Sequence, residues 1–150
     1  MNKEKIYASI KSRNRGSKLF RKLTSKKISD ARGSIFKIIM DKQEILFLHM
    51  HKGTFRGGHY HNRKTTHIVI YGNIIFEFVD PITLELNILK TKPMDVIQIP
   101  KGIAHLLKAN DESLFLEPIN DKILTWDYAP QRNKVLKSLK MNEQSDEQFL

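Results

Sequence analysis

His59 and His61 are separated by a single residue, so in an extended strand both imidazoles project from the same face. Two imidazoles at that spacing can chelate one metal ion, and an imidazole titrating near neutrality can equally serve as a general base. Both lie in residues 53–72, which contain three of the chain's six histidines together with Arg56 and the Gly57-Gly58 pair. His67 keeps the odd-numbered parity of His59 and His61. His105, three residues after Gly102, is the expected third ligand, from a strand lying across the barrel from His59. His49 and His51 flank a turn near Lys52-Gly53 and read as imidazoles hydrogen-bonded to neighbours rather than as ligands. Gly57-Gly58 is not a phosphate loop, because no Lys-Ser/Thr pair or helix follows it.

Short strands must position these residues. From residue 28 onward, apolar or alternating runs at 35–40, 45–50, 65–71, 74–79, 84–89, 96–99, 104–109 and 114–116 are divided by turn residues. Such even spacing implies an all-β sandwich or barrel. Asp41-Lys-Gln-Glu44 separates two runs, Gly72-Asn73 predicts a two-residue hairpin, and Leu84, Leu86 and Ile88 predict a strand with one wet face. Phe36, Phe47, Phe76, Phe78 and Phe115 are expected in the core, and Trp126 either on a ligand or at a barrel edge. No internal stretch supports a βαβ unit. The expected division is a basic arm over 1–27, a β-barrel over 28–130, and a polar tail over 131–150 with at most a short helix at 135–139, all within one domain.

The chain of 150 residues carries a net charge of +10, and its location decides its meaning. Residues 1–37 hold twelve Lys/Arg against Glu4 and Asp30, whereas the remainder holds fourteen of each sign. The excess therefore belongs to the arm, which reads first as a solvated segment and second as a phosphate-binding one. With no cysteine there are no disulfides, thiolate ligands or cysteine nucleophile. Met1 opens a charged segment without an apolar signal core, and no apolar run approaches the ~18 residues of a membrane span. A cytoplasmic protein without a membrane partner is the expectation.

Gly53, His59, His61 and Gly72, followed by Pro100-x-Gly102-x-x-His105, resemble the two motifs of the cupin superfamily, small antiparallel jelly-roll barrels. Metal-binding cupins carry a glutamate where this sequence has Thr65 and a glycine where it has Met94. His67 then completes an alternative all-histidine site of His59, His61, His67 and His105 for one divalent ion such as Zn, Fe, Ni or Cu.

A narrower resemblance comes from Asp30-Ala-Arg-Gly33, Arg56-Gly-Gly-His59 and Tyr128-Ala-Pro-Gln-Arg132. These are similar to the sugar-nucleotide cupins, above all dTDP-4-dehydrorhamnose 3,5-epimerase, and His59-Tyr-His61 is more similar to the dTDP-sugar 3,4-ketoisomerases. That resemblance implies an isomerase or epimerase, without cofactor, that abstracts a proton next to the carbonyl of a nucleotide-linked keto-deoxy sugar. His59 corresponds to the base with His61 assisting, Tyr128 to the acid and Arg56 to the diphosphate ligand, in a homodimer. Asn133 and Asn62 stand where these groups carry a glutamate and a lysine. A further alternative is a non-catalytic binding module whose arm engages nucleic acid, a partner absent from the leading reading.

Overall fold

The computed structural model describes residues 26–119 and 122–147; most of the basic arm expected over 1–27 lies outside them. Eleven strands succeed one another: β1 (Lys26–Asp30), β2 (Gly33–Met40), β3 (Gln43–Met50), β4 (Phe55–His61), β5 (Thr65–Tyr71), β6 (Ile74–Val79), β7 (Leu86–Lys90), β8 (Val96–Ile99), β9 (Ala104–Ala109), β10 (Ser113–Ile119) and β11 (Thr125–Asp127). Helix α1 (Ala129–Glu147) closes the described chain. The strands form two antiparallel sheets, one ordered β1-β2-β3-β10-β5-β8 and the other β11-β4-β9-β6-β7. This is the expected all-β jelly-roll barrel. Among the described residues no helix is long and apolar enough to cross a membrane.

Alternation along each strand puts one set of side chains between the sheets. Leu48, Met50, Val69, Ile74, Phe76, Ile97, Ile99, Leu107, Ala109 and Phe115 form the buried core, with Leu46, Phe78 and Ile103 packed against it. Because Leu46, Leu48 and Met50 face inward, Phe47 and its cross-strand partner Phe36 face outward. These two are half-buried on the sheet's outer surface, with the Lys27 ammonium 5.4 Å from the Phe36 ring centroid, and not in the expected core. The β7 run also departs from expectation: the strand begins at Leu86, Leu84 takes a positive φ of 63°, and every residue of this edge strand is exposed.

Two turns show what a dipeptide can and cannot specify. Asp41 and Lys42 (φ 48° and 67°) join β2 to β3 in a tight hairpin, both residues in the left-handed conformation whose twist matches antiparallel strands. Gly72-Asn73 does not make the hairpin its composition predicts. β5 pairs with β10 and β8 while β6 pairs with β9 and β7, so these residues carry the chain from one sheet to the other.

The feature that sets the site is a bulge in β4. Arg56 lies opposite Leu107 and His59 opposite His105, with two residues between them on β4, Gly57 and Gly58, against one on β9, Leu106. The extra residue reverses the facing parity, so Arg56 on one side of the bulge and His59 and His61 on the other all share the face of Leu107 and His105. Gly57 (φ 86°) and Gly58 (φ 77°) supply the left-handed backbone it needs.

Helix α1 packs against β4, extending well beyond the short 135–139 segment expected from the sequence. Its Val135 and Gln131 are fully buried, and Gln131 Nε2 donates to the Glu77 carbonyl at 3.1 Å. The helix starts directly over the bulge: Tyr128 N–H donates to the Gly58 carbonyl at 2.9 Å and an Arg132 guanidinium N–H to the Gly57 carbonyl at 3.1 Å. A methyl group on Gly58 would meet Arg132 Cα at 2.7 Å. Gly58→Ala is therefore expected to cost on the order of 1–3 kcal/mol of stability, from strained φ and displacement of the helix start. Urea unfolding of the variant checks this, and an unchanged midpoint refutes it.

Candidate functional site

β4 and β9 are neighbours, so His105 sits beside His59 in register rather than across the barrel. The rings of His59, His61 and His105 form a triangle with centroid separations of 4.7, 4.9 and 5.2 Å. One ring nitrogen from each lies within 4.8 Å of the other two. His67 reaches the group from β5 in the opposite sheet, its ring 5.7 Å from that of His105, and its other neighbours are Phe76 and Phe115. The four imidazoles expected from the sequence are thus gathered, three as a close set and His67 behind them against the apolar floor.

Ring orientation is held from outside. The Ile103 carbonyl lies 3.4 Å from His105 Nδ1; a carbonyl only accepts, so this nitrogen carries the proton and Nε2 keeps its lone pair. His61 Nδ1 is bonded to Thr125 Oγ1 at 2.9 Å. Thr125 comes from β11, whose register sets Thr125 opposite His61 and Asp127 opposite His59. Trp126, between them, faces the other way and stacks on Tyr60 at 5.7 Å, away from the histidines. Tyr128 comes next, at the junction with α1, held to Gly58 by its backbone.

Burial governs the charge state. His59 is lowered to about 4, chiefly by desolvation, with His61 and Arg132 adding and Asp127 opposing. His67 is lowered to about 3 and His105 well below the ordinary range, again by burial first and then by the neighbouring imidazoles. Burial also lowers His61, against the Leu124 carbonyl. All four are neutral at neutral pH, with lone pairs available.

The sequence pattern does not single out Glu117. On β10 it faces inward beside Leu46, with Oε2 3.7 Å from His67 Nε2. Burial raises its carboxyl to about 7, so below that pH the two groups face each other uncharged, too far apart for a hydrogen bond. Its signal in the sequence is a lone acid in an otherwise apolar strand, Leu114-Phe-Leu-Glu117. His67 Nδ1 and Thr65 Oγ1 are also buried, without a protein partner. Orphaned buried polar atoms cost about 1–3 kcal/mol each, a cost that a polar guest or water beside them would offset.

Arg56 is 6 % exposed and faces inward, but its ionic contact is Asp30 at 3.9 Å, an acid already chelated by Arg32 at 2.6 Å. Desolvation, then Arg32, lowers it to about 10, and its Nε has no partner. The cation acting on His59 is Arg132, whose Nε lies 3.8 Å from Asp127.

No protein-family model and no curated protein matches the chain. Solved structures do. CapF bound to the inhibitor 3-isopropenyl-tropolone superposes with a TM-score of 0.62 at 19 % identity, over 69 % of this chain and 34 % of that one. The capsular polysaccharide assembling protein CapF from Staphylococcus aureus gives 0.59 at 20 % identity, over 66 % and 31 %. Oxalate decarboxylase from Bacillus subtilis gives 0.60 at 16 % identity, over 76 % and 33 %. The chain spans about a third of the length of each, and the likeness is one of fold, the antiparallel jelly roll.

The buried groups make stability depend on pH in opposing ways. For His59 and His67, depressed from 6.5, the unfolded chain takes up protons first, so stability is lost as pH falls from 6.5 towards about 4 for His59 and about 3 for His67. For Glu117, raised from 4.5, the folded state keeps a proton that the unfolded chain releases, so its contribution is lost as pH rises from 4.5 through about 7. In chelator-treated protein, Glu117→Gln is expected to gain on the order of 2 kcal/mol at pH 8 and little at pH 4.5. Unfolding curves at the two pH values check this; an equal effect at both contradicts a raised carboxyl.

Proposed function

We propose that the protein is a metal-dependent cupin enzyme in which His59, His61 and His105 hold one divalent transition-metal ion and the substrate is a small oxygen-rich molecule bearing a carbonyl or carboxylate. The observation that carries this is the convergence of three uncharged imidazoles, one ring nitrogen each, within 4.8 Å of one another. The donor set fits such an ion: nitrogen ligands without thiolate suit Zn, Fe, Ni or Cu, and three protein ligands leave room for a guest. When bound, the ion supplies Lewis-acid polarisation of a substrate oxygen.

The chain's own groups do the rest. Ile103 and Thr125 hold the His105 and His61 rings in place, as outer-shell partners of ligating histidines do. Asp127, opposite His59, and the Glu117–His67 pair are the nearby groups able to take or return a proton. The apolar floor of Phe76 and Phe115 excludes water from that side.

A second reading keeps the metal-free chemistry: His59 as base, His61 assisting, Tyr128 as acid and Arg56 on the diphosphate of a nucleotide-linked keto sugar. Two observations favour it. β11 sets Asp127 opposite His59 with Tyr128 next in the chain, and CapF, a capsular polysaccharide assembling protein, shares the fold. Against it as the first reading, a base lowered to about 4 is too weak for efficient abstraction of a carbon-bound proton. A homodimer belongs to either reading.

Protein purified without an affinity tag is expected to carry about one equivalent of metal in the barrel, lost in His105→Ala, with activity abolished by chelator and restored by the ion. A His105→Ala protein that keeps its far-ultraviolet spectrum and its barrel metal overturns the ligand set. Chelator-resistant turnover of a nucleotide sugar, lost in His59→Ala and Tyr128→Phe, establishes the second reading in place of the first.

A further inference from the structure

Outside the barrel, a second set of metal-ligating side chains comes together where β3 ends. His49 Nε2 lies 2.9 Å from Glu112 Oε2, and His51 Nδ1 lies 3.2 and 3.3 Å from the two oxygens of the same carboxylate. The two rings stand at 89° with centroids 5.1 Å apart, so they approach the carboxylate from different directions rather than stacking on one side. One donor atom from each of the three residues lies within 4.8 Å of the other two. Donors held about 2.0–2.2 Å from one ion at tetrahedral angles stand about 3.3–3.6 Å apart, so small side-chain rotations suffice to close on it.

This set is distinct from the barrel histidines. Leu48 and Met50 face the core, so His49 between them faces outward, on the opposite side of the six-stranded sheet. Nor is the set loose. His51 N–H donates to the Arg32 carbonyl at 2.8 Å, and its own carbonyl accepts from the Thr54 hydroxyl at 2.6 Å. Lys52 N–H donates to Glu112 Oε1 at 3.2 Å, orienting the carboxylate as an outer-shell donor does. The turn bearing Glu112 is pinned by Ser113 Oγ donating to the Asp111 carbonyl and by Asn73 Nδ2 donating to the Asp111 carboxylate, both at 2.7 Å.

We infer that His49, His51 and Glu112 form a second, surface metal site, taking a divalent ion of the zinc, nickel or cobalt type. Two imidazoles and a carboxylate are a recurrent donor set for such ions, and the half-exposed side chains leave the remaining positions to water. An ion here adds a side-chain link between the end of β3 and the β9–β10 turn, where Met50 already pairs with Ser113 and Lys52 N–H already meets Glu112. It thereby clips one sheet to the corner at which the chain crosses to the other. Occupancy of this surface set is independent of what the barrel holds.

Titration of untagged, full-length protein with Zn²⁺, followed by equilibrium dialysis, tests it. Wild type is expected to retain one equivalent more than His49→Ala and one more than Glu112→Gln, whatever the barrel holds. His105→Ala, if folded, loses a different equivalent, so failure of the barrel site and failure of this one are told apart. Zn²⁺ is also expected to raise the melting temperature of wild type more than that of His49→Ala. Equal stoichiometry in wild type, His49→Ala and Glu112→Gln shows an ion pair only and overturns the site.

Discussion

The extra residue in β4 is the constraint on which the interior depends. In an unbroken strand, Arg56 and His59, three positions apart, point to opposite faces. With the bulge, Arg56 pairs with Leu107 and His59 with His105, and both face inward. The carbonyls of the same two glycines accept from Tyr128 N–H and the Arg132 guanidinium. One local deviation therefore places the His59–His61 pair inside the barrel and seats the start of α1 outside it. A side chain at either glycine would meet backbone, of His105 at Gly57 and of Arg132 at Gly58, so the geometry leaves little alternative to glycine.

That placement produces a desolvated cluster that is neutral by necessity. Charging any of the four imidazoles means placing a cation in low dielectric beside three other rings, and burial depresses all four. Glu117 answers the same pressure in the opposite direction, holding its proton instead of ionising. Below about pH 7 the pair it makes with His67 is thus a contact of two neutral groups, not a salt bridge, and gives little back for the burial of both. The interior thus keeps its titratable groups neutral and leaves His67 Nδ1 and Thr65 Oγ1 without a protein partner.

Much of this is legible in the residue pattern. Strand runs beginning at positions 65, 74, 96 and 104 are found there because two-residue periodicity and flanking turn residues act locally. The His59-x-His61 parity is preserved in the fold for the same reason. Pairing is not legible: Gly72-Asn73 has hairpin composition, yet which sheet each flanking strand joins is decided by packing far along the chain. β1 and β11 leave no signal because they are short, exposed and mostly polar, with Ile28 and Trp126 as their single apolar residues, and an edge strand can be held by ladder hydrogen bonds without an apolar face. Helix α1 is hidden by its composition, since only Val135 and Gln131 need burial to anchor its first turns.

The residues that complete the site are the least legible, for a reason that concerns barrels in general. Thr125 and Asp127 stand more than sixty positions from the histidines they face, on a three-residue strand with no pattern of its own. Glu117 reaches His67 only because β10 pairs with β5 through a register shift between Leu114 and Phe115. Histidines on one strand announce themselves by spacing, whereas the groups that face them arrive through sheet register, which no short window contains. The consequence is an asymmetry in what the residues establish. The proposed metal set is carried by His59, His61 and His105, two of them adjacent in pattern, while Asp127, His67 and Glu117 come beside it through the fold alone.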